Sequence, residues 1–187
     1  MNRKLLRATL LGLIVLAALF SAAPTLGGWL GIEVRSETSP AADESVVTSG
    51  FCAESGIAVV IDFGSASGRK PQTNCVQTNG ATGWELLSLA HHSVTGTTAY
   101  PIGFVCRIDD WPMPQKQDCA DTPTPSEGTW VYYYATGQMG NHWLFSGQGA
   151  ASRKPECGSV EGWRFVTADD SGDAREPRIK PATVSCH

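Results

Sequence analysis

Between residues 57 and 63 the chain alternates. Ile57, Val59, Ile61 and Phe63 fall on one side, with Ala58, Val60 and Asp62 on the other, the period-two signature of a half-buried strand. Gly64-Ser65-Ala66-Ser67-Gly68 ends it as a loop. A second strand through Gln72 to Gln77 makes a hairpin and brings Cys75 close to Cys52. The period then changes. Thr82-Gly83-Trp84-Glu85 is a capping box, with Thr82 as N-cap and Glu85 three residues on, and Leu86, Leu87, Leu89 and Ala90 supply an apolar face. His91 and His92 fall in the last turn of this helix, where cationic side chains suit the dipole, and Gly96 marks the exit. The rest reads as strands: Ile102 to Ile108 ending at Asp109-Asp110, Trp130 to Tyr134 closed by Gly137, His142 to Phe145, and Val160 to Val166. A Pro-rich excursion from Trp111 to Pro125 interrupts them and holds Cys119. Strand, strand, helix, then three or four strands predicts an α+β domain of the β-grasp kind, a mixed sheet with one short helix.

The flanks have a different texture. Asn2 to Arg7 is cationic, Ala8 to Phe20 is a 13-residue apolar run, and Ser21-Ala22-Ala23 follows, the three-part pattern of a secretory signal. No charge returns until Glu33, so residues 8–32 also suffice for an uncleaved membrane anchor. In both readings the remainder lies outside the cytoplasm, secreted or on the outer face of the membrane, because the cationic flank stays inside. The expected organisation is a signal or anchor over 1–32, a flexible stalk over 33–50, the folded domain over 51–167, and a tail over 168–187. Membrane contact is expected only through the N-terminal segment, if it is uncleaved. The stalk and tail are rich in Ser, Thr, Ala, Asp and Glu, which bury little. Cys186 implies that the tail is pinned back onto the domain.

All six cysteines (Cys52, Cys75, Cys106, Cys119, Cys157 and Cys186) follow the signal. An even count in an exported chain reads as three disulfides, with 15 connectivities that spacing alone does not separate. The formal charge of −4 becomes about −7 once Arg3, Lys4 and Arg7 are set aside. An acidic domain with scattered cations has no footprint for nucleic acid.

Little catalytic chemistry is written in the chain. Adjacent His91 and His92 face different ways on a helix, which argues for a solvated helix end and against a metal pair. Ala66 stands where a nucleophile elbow would need Ser, and Asp109-Asp110 reads as a turn. No metal site, resident cofactor or enzymatic activity is expected. Aromatic density stands out instead. Trp130, Tyr132 and Tyr134 share one strand face, and with Trp143 and Trp163 they are the candidate ligand-binding residues, some filling the core and others lining a cleft.

The stretch from Ile57 to Phe165 resembles a group of exported actinobacterial-type proteins related to the β-grasp domain at the C-terminus of transcobalamin and intrinsic factor. The resemblance is carried by Val59-Val60-Ile61-Asp62-Phe63-Gly64, by Gly103-Phe104-Val105-Cys106-Arg107-Ile108-Asp109, by Trp130-Val131-Tyr132-Tyr133-Tyr134, and by Cys157-Gly158-Ser159-Val160-Glu161-Gly162-Trp163-Arg164-Phe165. Members of that group look like companions of vitamin-uptake systems of the energy-coupling-factor type. The resemblance implies a non-enzymatic module that holds a corrinoid or similar ligand, with a transport-system protein as partner. Since the chain lacks the helical barrel that completes a transcobalamin, such a ligand would need a partner surface or would be bound weakly by this chain alone. Related domains also serve as adhesion modules, which implies the alternative of a protein–protein contact without a small ligand. The same resemblance implies the pairs Cys52–Cys75, Cys106–Cys119 and Cys157–Cys186.

Overall fold

The computed structural model describes residues 46–186; the expected signal or anchor and most of the expected stalk lie outside them. Eight strands, one α-helix and three 3-10 turns make up this region. The strands are β1 (Val47–Ser49), β2 (Ile57–Asp62), β3 (Gln72–Val76), β4 (Val94–Gly96), β5 (Val105–Ile108), β6 (Thr129–Ala135), β7 (Leu144–Phe145) and β8 (Val160–Val166), and the helix is α1 (Gly83–Leu89). Six strands form one sheet in the order β1-β3-β2-β8-β6-β7, and β4 and β5 pair as a separate hairpin. Only the central pair, β2 with β8, is parallel. The fold is α+β, a mixed sheet with one helix.

Because β2 and β8 are interior strands covered on both sides, all their residues are buried. The half-buried strand expected over 57–63 is therefore buried on both faces. Toward α1 the sheet presents Ile57, Val59, Ile61, Trp130, Trp163 and Phe165, packed on Leu86, Leu87 and Ala90. The β4–β5 hairpin joins the same core through Val105 and Ile108. The opposite face carries Ala58, Val60, Val131, Tyr133 and Val160, and Trp143 packs against them.

The capping box forms as expected. Glu85 N–H donates to Thr82 Oγ1 at 3.2 Å and Thr82 N–H donates to Glu85 Oε2 at 2.8 Å. The helix is shorter than the apolar pattern suggests. It ends at Leu89, His91 takes a left-handed φ of 65°, and His92 turns inward. His92 is 5% exposed, and its Nδ1 lies 2.7 Å from Asp109 Oδ2. The expected solvated helix end is thus a buried His–Asp contact. Gly96 belongs to β4 and not to the helix exit. Residues 47–49, expected as stalk, form an edge strand on β3. The strands expected from Ile102 and His142 begin later, at Val105 and Leu144.

The three disulfides are Cys52–Cys75, Cys106–Cys119 and Cys157–Cys186, the pairs the resemblance implies. They are the mark of an oxidising compartment. Among the described residues no helix is long and apolar enough to cross a membrane. Cys157–Cys186 fastens the tail, which lies across the sheet face away from α1. Pro177 packs at Gly162 and Val184 N–H donates to Gly158 C=O at 3.1 Å.

Candidate functional site

β6 is seven residues long, but β7 covers it only at Tyr133 and Tyr134, with Ser146 N–H adding a bond to Tyr132 C=O at 2.9 Å. Beyond that point this edge of β6 has no strand partner among the described residues, although Thr129, Trp130 and Val131 remain buried. A cleft of about 360 Å³ lies against it, lined by Thr129, Trp130, Val131 and Tyr132, by Gly103, Phe104 and Val105 before and within β5, by Pro123, by 145–150, and by Trp163. Four consecutive β6 residues of both parities border the cleft, so it abuts the strand's edge as well as its face.

Three of the five aromatic candidates meet here. Tyr132 and Trp163 stack at 4.5 Å with an 18° interplanar angle. The Trp130 ring is largely core, edge-on to Phe63 at 5.6 Å and to Phe165 at 5.5 Å, and its indole N–H donates to Trp111 C=O at 3.1 Å. The other two candidates are elsewhere. Trp143 is buried on the opposite face, its ring over Gly162 and its N–H donating to Ile179 C=O at 2.9 Å. Tyr134 lies under the Arg153 guanidinium at 3.8 Å. Trp143 therefore anchors the tail and does not line the cleft. Nothing in the alternation of residues 142–145 separates those roles.

Behind the cleft sits a buried polar group. Glu161, on β8, is fully buried and takes two bonds from Arg153, Nε to Oε2 at 3.0 Å and Nη2 to Oε1 at 3.1 Å, with Ser159 Oγ donating at 3.3 Å. The Tyr132 hydroxyl donates to Glu161 Oε2 as well. Burial pushes the Glu161 carboxyl above the usual carboxylate range, and the Arg153 and hydroxyl bonds offset only part of this. Burial, with the Glu161 charge beside it, also pushes the Tyr132 phenol far up. Gly83 is required here, because a Cβ would collide with the Tyr132 hydroxyl. Gly83 and Trp84 N–H donate to Arg153 and Ala150 C=O at 2.9 and 3.0 Å. The network thus ties the helix start, β6, β8 and the 150–153 loop together and holds one wall of the cleft.

Apart from the Tyr132 phenol, already bonded to Glu161, no lining residue is ionisable. Exposed apolar side chains sit at and beside the lining: Phe145 at 69% and, next to Gly103 in sequence, Ile102 at 72%. A second hollow of about 600 Å³ lies along the Pro-rich excursion, but its lining, residues 114–123 with Glu127, comes entirely from the one connection between β5 and β6. Among the described residues no three His, Cys, Asp or Glu side chains cluster as metal ligands.

Residues 126–186 match the model of a family described as the SCO2322-like domain. The matched third contains β6, β7, β8 and the tail, and so one side of the cleft together with the strap over the opposite face. No curated protein and no solved structure matches the chain.

Proposed function

We propose that this is an exported, non-enzymatic β-grasp module that binds a small neutral ligand in the cleft along β6. The observation that carries the reading is the cleft itself: concave, aromatic and without a charged side chain in its lining. Ligand sites are typically concave and mostly apolar, with volumes of roughly 300–1,000 Å³. The β-grasp assignment is supported by the order of elements, a hairpin, a helix, then antiparallel strands returning to a parallel central pair. Acyl or phosphoryl transfer would need a nucleophile, base or cation in the cleft, and the lining is poor in all three.

A corrinoid is the ligand the resemblance to transcobalamin-type domains implies. At about 360 Å³ the cleft is at the small end of ligand sites, so a corrinoid enters by one edge and needs a partner, such as a transport-system protein, to cover the rest. The exposed Phe145 and Ile102 favour a second reading, in which the same rim docks a surface protein without any small ligand.

Tryptophan fluorescence of the full-length oxidised protein, titrated with cobalamin and cobinamide, tests the first reading, since Trp130 and Trp163 border the cleft. Saturable quenching after inner-filter correction is expected. It should vanish in Gly149→Trp, because a side chain at Gly149 has room and its nearest neighbour is Gly103 C=O across the cleft at 3.8 Å. A flat titration with both corrinoids removes the corrinoid and leaves the protein-docking reading ahead.

A further inference from the structure

We infer that the cleft recognises its ligand through the main chain of Trp130, and that the ligand is a small neutral amide presenting an acceptor beside a donor. The inference rests on the ligand-binding reading above and names the chemistry of that same site.

In an antiparallel ladder the polar groups of successive residues point to alternate edges. Ser146 N–H bonds Tyr132 C=O, and Tyr134 pairs with Leu144. The even-numbered residues of β6 therefore turn their N–H and C=O away from β8. Trp130 is the next of them, and β7 does not reach it. Among the described residues no loop main chain bonds the Trp130 N–H or C=O or the Tyr132 N–H, and by this parity β8 does not reach them either. All three groups belong to residues that line the cleft. Trp163 Nε1 and Thr129 Oγ1, on two other lining residues, are also without a hydrogen bond, but both atoms are closed off from solvent and are not part of the recognition surface. Buried polar groups are nearly always satisfied, so the unpaired main chain of Trp130 beside a cavity calls for a partner that the described residues do not supply.

The ligand's chemistry follows from these groups. The N–H and C=O of one extended residue lie side by side, and their complement is an acceptor adjacent to a donor, as in a primary carboxamide or a lactam. A carboxylate, phosphate or ammonium would enter a lining that offers no counter-charge, at a high desolvation cost. An added peptide strand is disfavoured by length. Only Thr129 to Val131 lie beyond the β7 contacts, whereas strands commonly run to about five or six residues.

The test is amide NMR of the full-length, oxidised, 15N-labelled protein titrated separately with benzamide, N,N-dimethylbenzamide, benzoate and acetyl-trivaline amide. Benzamide should move the Trp130 and Tyr132 amide protons downfield and bind about tenfold or more tightly than the dimethyl compound or benzoate, as loss of a buried hydrogen-bond partner requires. Gly149→Trp should abolish these shifts and leave distant resonances in place. Equal binding of benzamide and its dimethyl analogue overturns the inference, and so does tighter binding of the trivaline. If benzamide moves the Trp163 indole N–H but not the Trp130 amide, main-chain recognition is wrong and the cleft reading stands. If no probe moves any cleft residue and neither corrinoid quenches, both fall.

Discussion

Toward α1 the sheet carries large apolar side chains, and the helix that covers it meets them with Leu86 and Leu87, both fully buried. The opposite face carries mostly small aliphatic residues, with Tyr133, a glycine and two charged side chains, Asp62 and Arg164, and what covers it is the tail, with only one 3-10 turn of regular structure. A helix buries an apolar stripe and satisfies most of its own backbone, so buried area does most of the fixing, with the Gly83 and Trp84 N–H bonds fastening its start. Irregular chain has neither advantage and needs named anchors. Here they are Arg178, which brackets the Asp62 carboxylate with its Nε at 3.0–3.1 Å, its Nη2 at 2.7 Å and its backbone N–H at 2.8 Å, the Trp143 indole bonded to Ile179 C=O, and Cys157–Cys186. Arg164, 1% exposed, bridges Asp62 at 3.0 Å and Asp170 at 3.1 Å.

The contrast predicts where the molecule breaks. Asp62→Ala should have the largest effect, a loss of about 3–5 kcal/mol in urea unfolding, because it leaves the Arg164 charge buried with only the partly exposed Asp170. Replacing Cys157 and Cys186 by serine should cost about 3–4 kcal/mol for a 29-residue separation. Hydrogen exchange should then speed up in the tail before it does in α1; uniform acceleration would show that the two faces unfold as one. Gly162→Ala should cost about 1–3 kcal/mol, since its Cβ would meet the Trp143 ring at 2.7 Å. A loss of Trp143 protection from quenchers should accompany it.

Acid should separate the faces as well. Burial pushes the Asp62 carboxyl up, but the Arg178 bonds and the Arg164 charge outweigh it and hold the carboxyl below its ordinary 3.8. Asp170 is lowered too, its burial outweighed by the Thr167 bonds and Arg164. A depressed carboxylate lends stability that is complete above the ordinary value and lost as pH falls through the depressed one. Below about pH 4 the wild type should therefore lose stability on the tail face. The deficit of Asp62→Ala relative to wild type should shrink between pH 7 and pH 3, while that of Leu87→Ala stays constant. A constant Asp62→Ala deficit would remove charge from the account of the tail.

The helix was legible because a capping box is local: Thr82 and Glu85 meet within one turn whatever surrounds them. The Val160–Val166 and Ile57–Asp62 strands were legible from composition and alternation, and burial on both faces was the part alternation misread. β1 and β4 were missed because three residues carry too little pattern, and each is defined by its partner. His92 was misplaced because the backbone reverses at His91, which directs the imidazole toward Asp109 and away from solvent.

For the site, the residue types could be named in advance and their faces could not. Trp130, Tyr132 and Trp163 converge because β6 and β8 pair with Tyr132 opposite Trp163, while Trp143, equally aromatic, lies on the other side of the sheet. The residues by themselves determined that an aromatic, acidic, disulfide-bearing α+β domain would form, since period, capping and cysteine count act over short distances. Tertiary structure alone decided that β7 stops short, so that Trp130, paired with Phe165 on the β8 side, has no strand partner on the cleft side. It alone brought Asp62 to Arg164 and Arg178, 102 and 116 residues apart. Register and burial belong to pairs of distant segments, and no local pattern encodes which pair will meet.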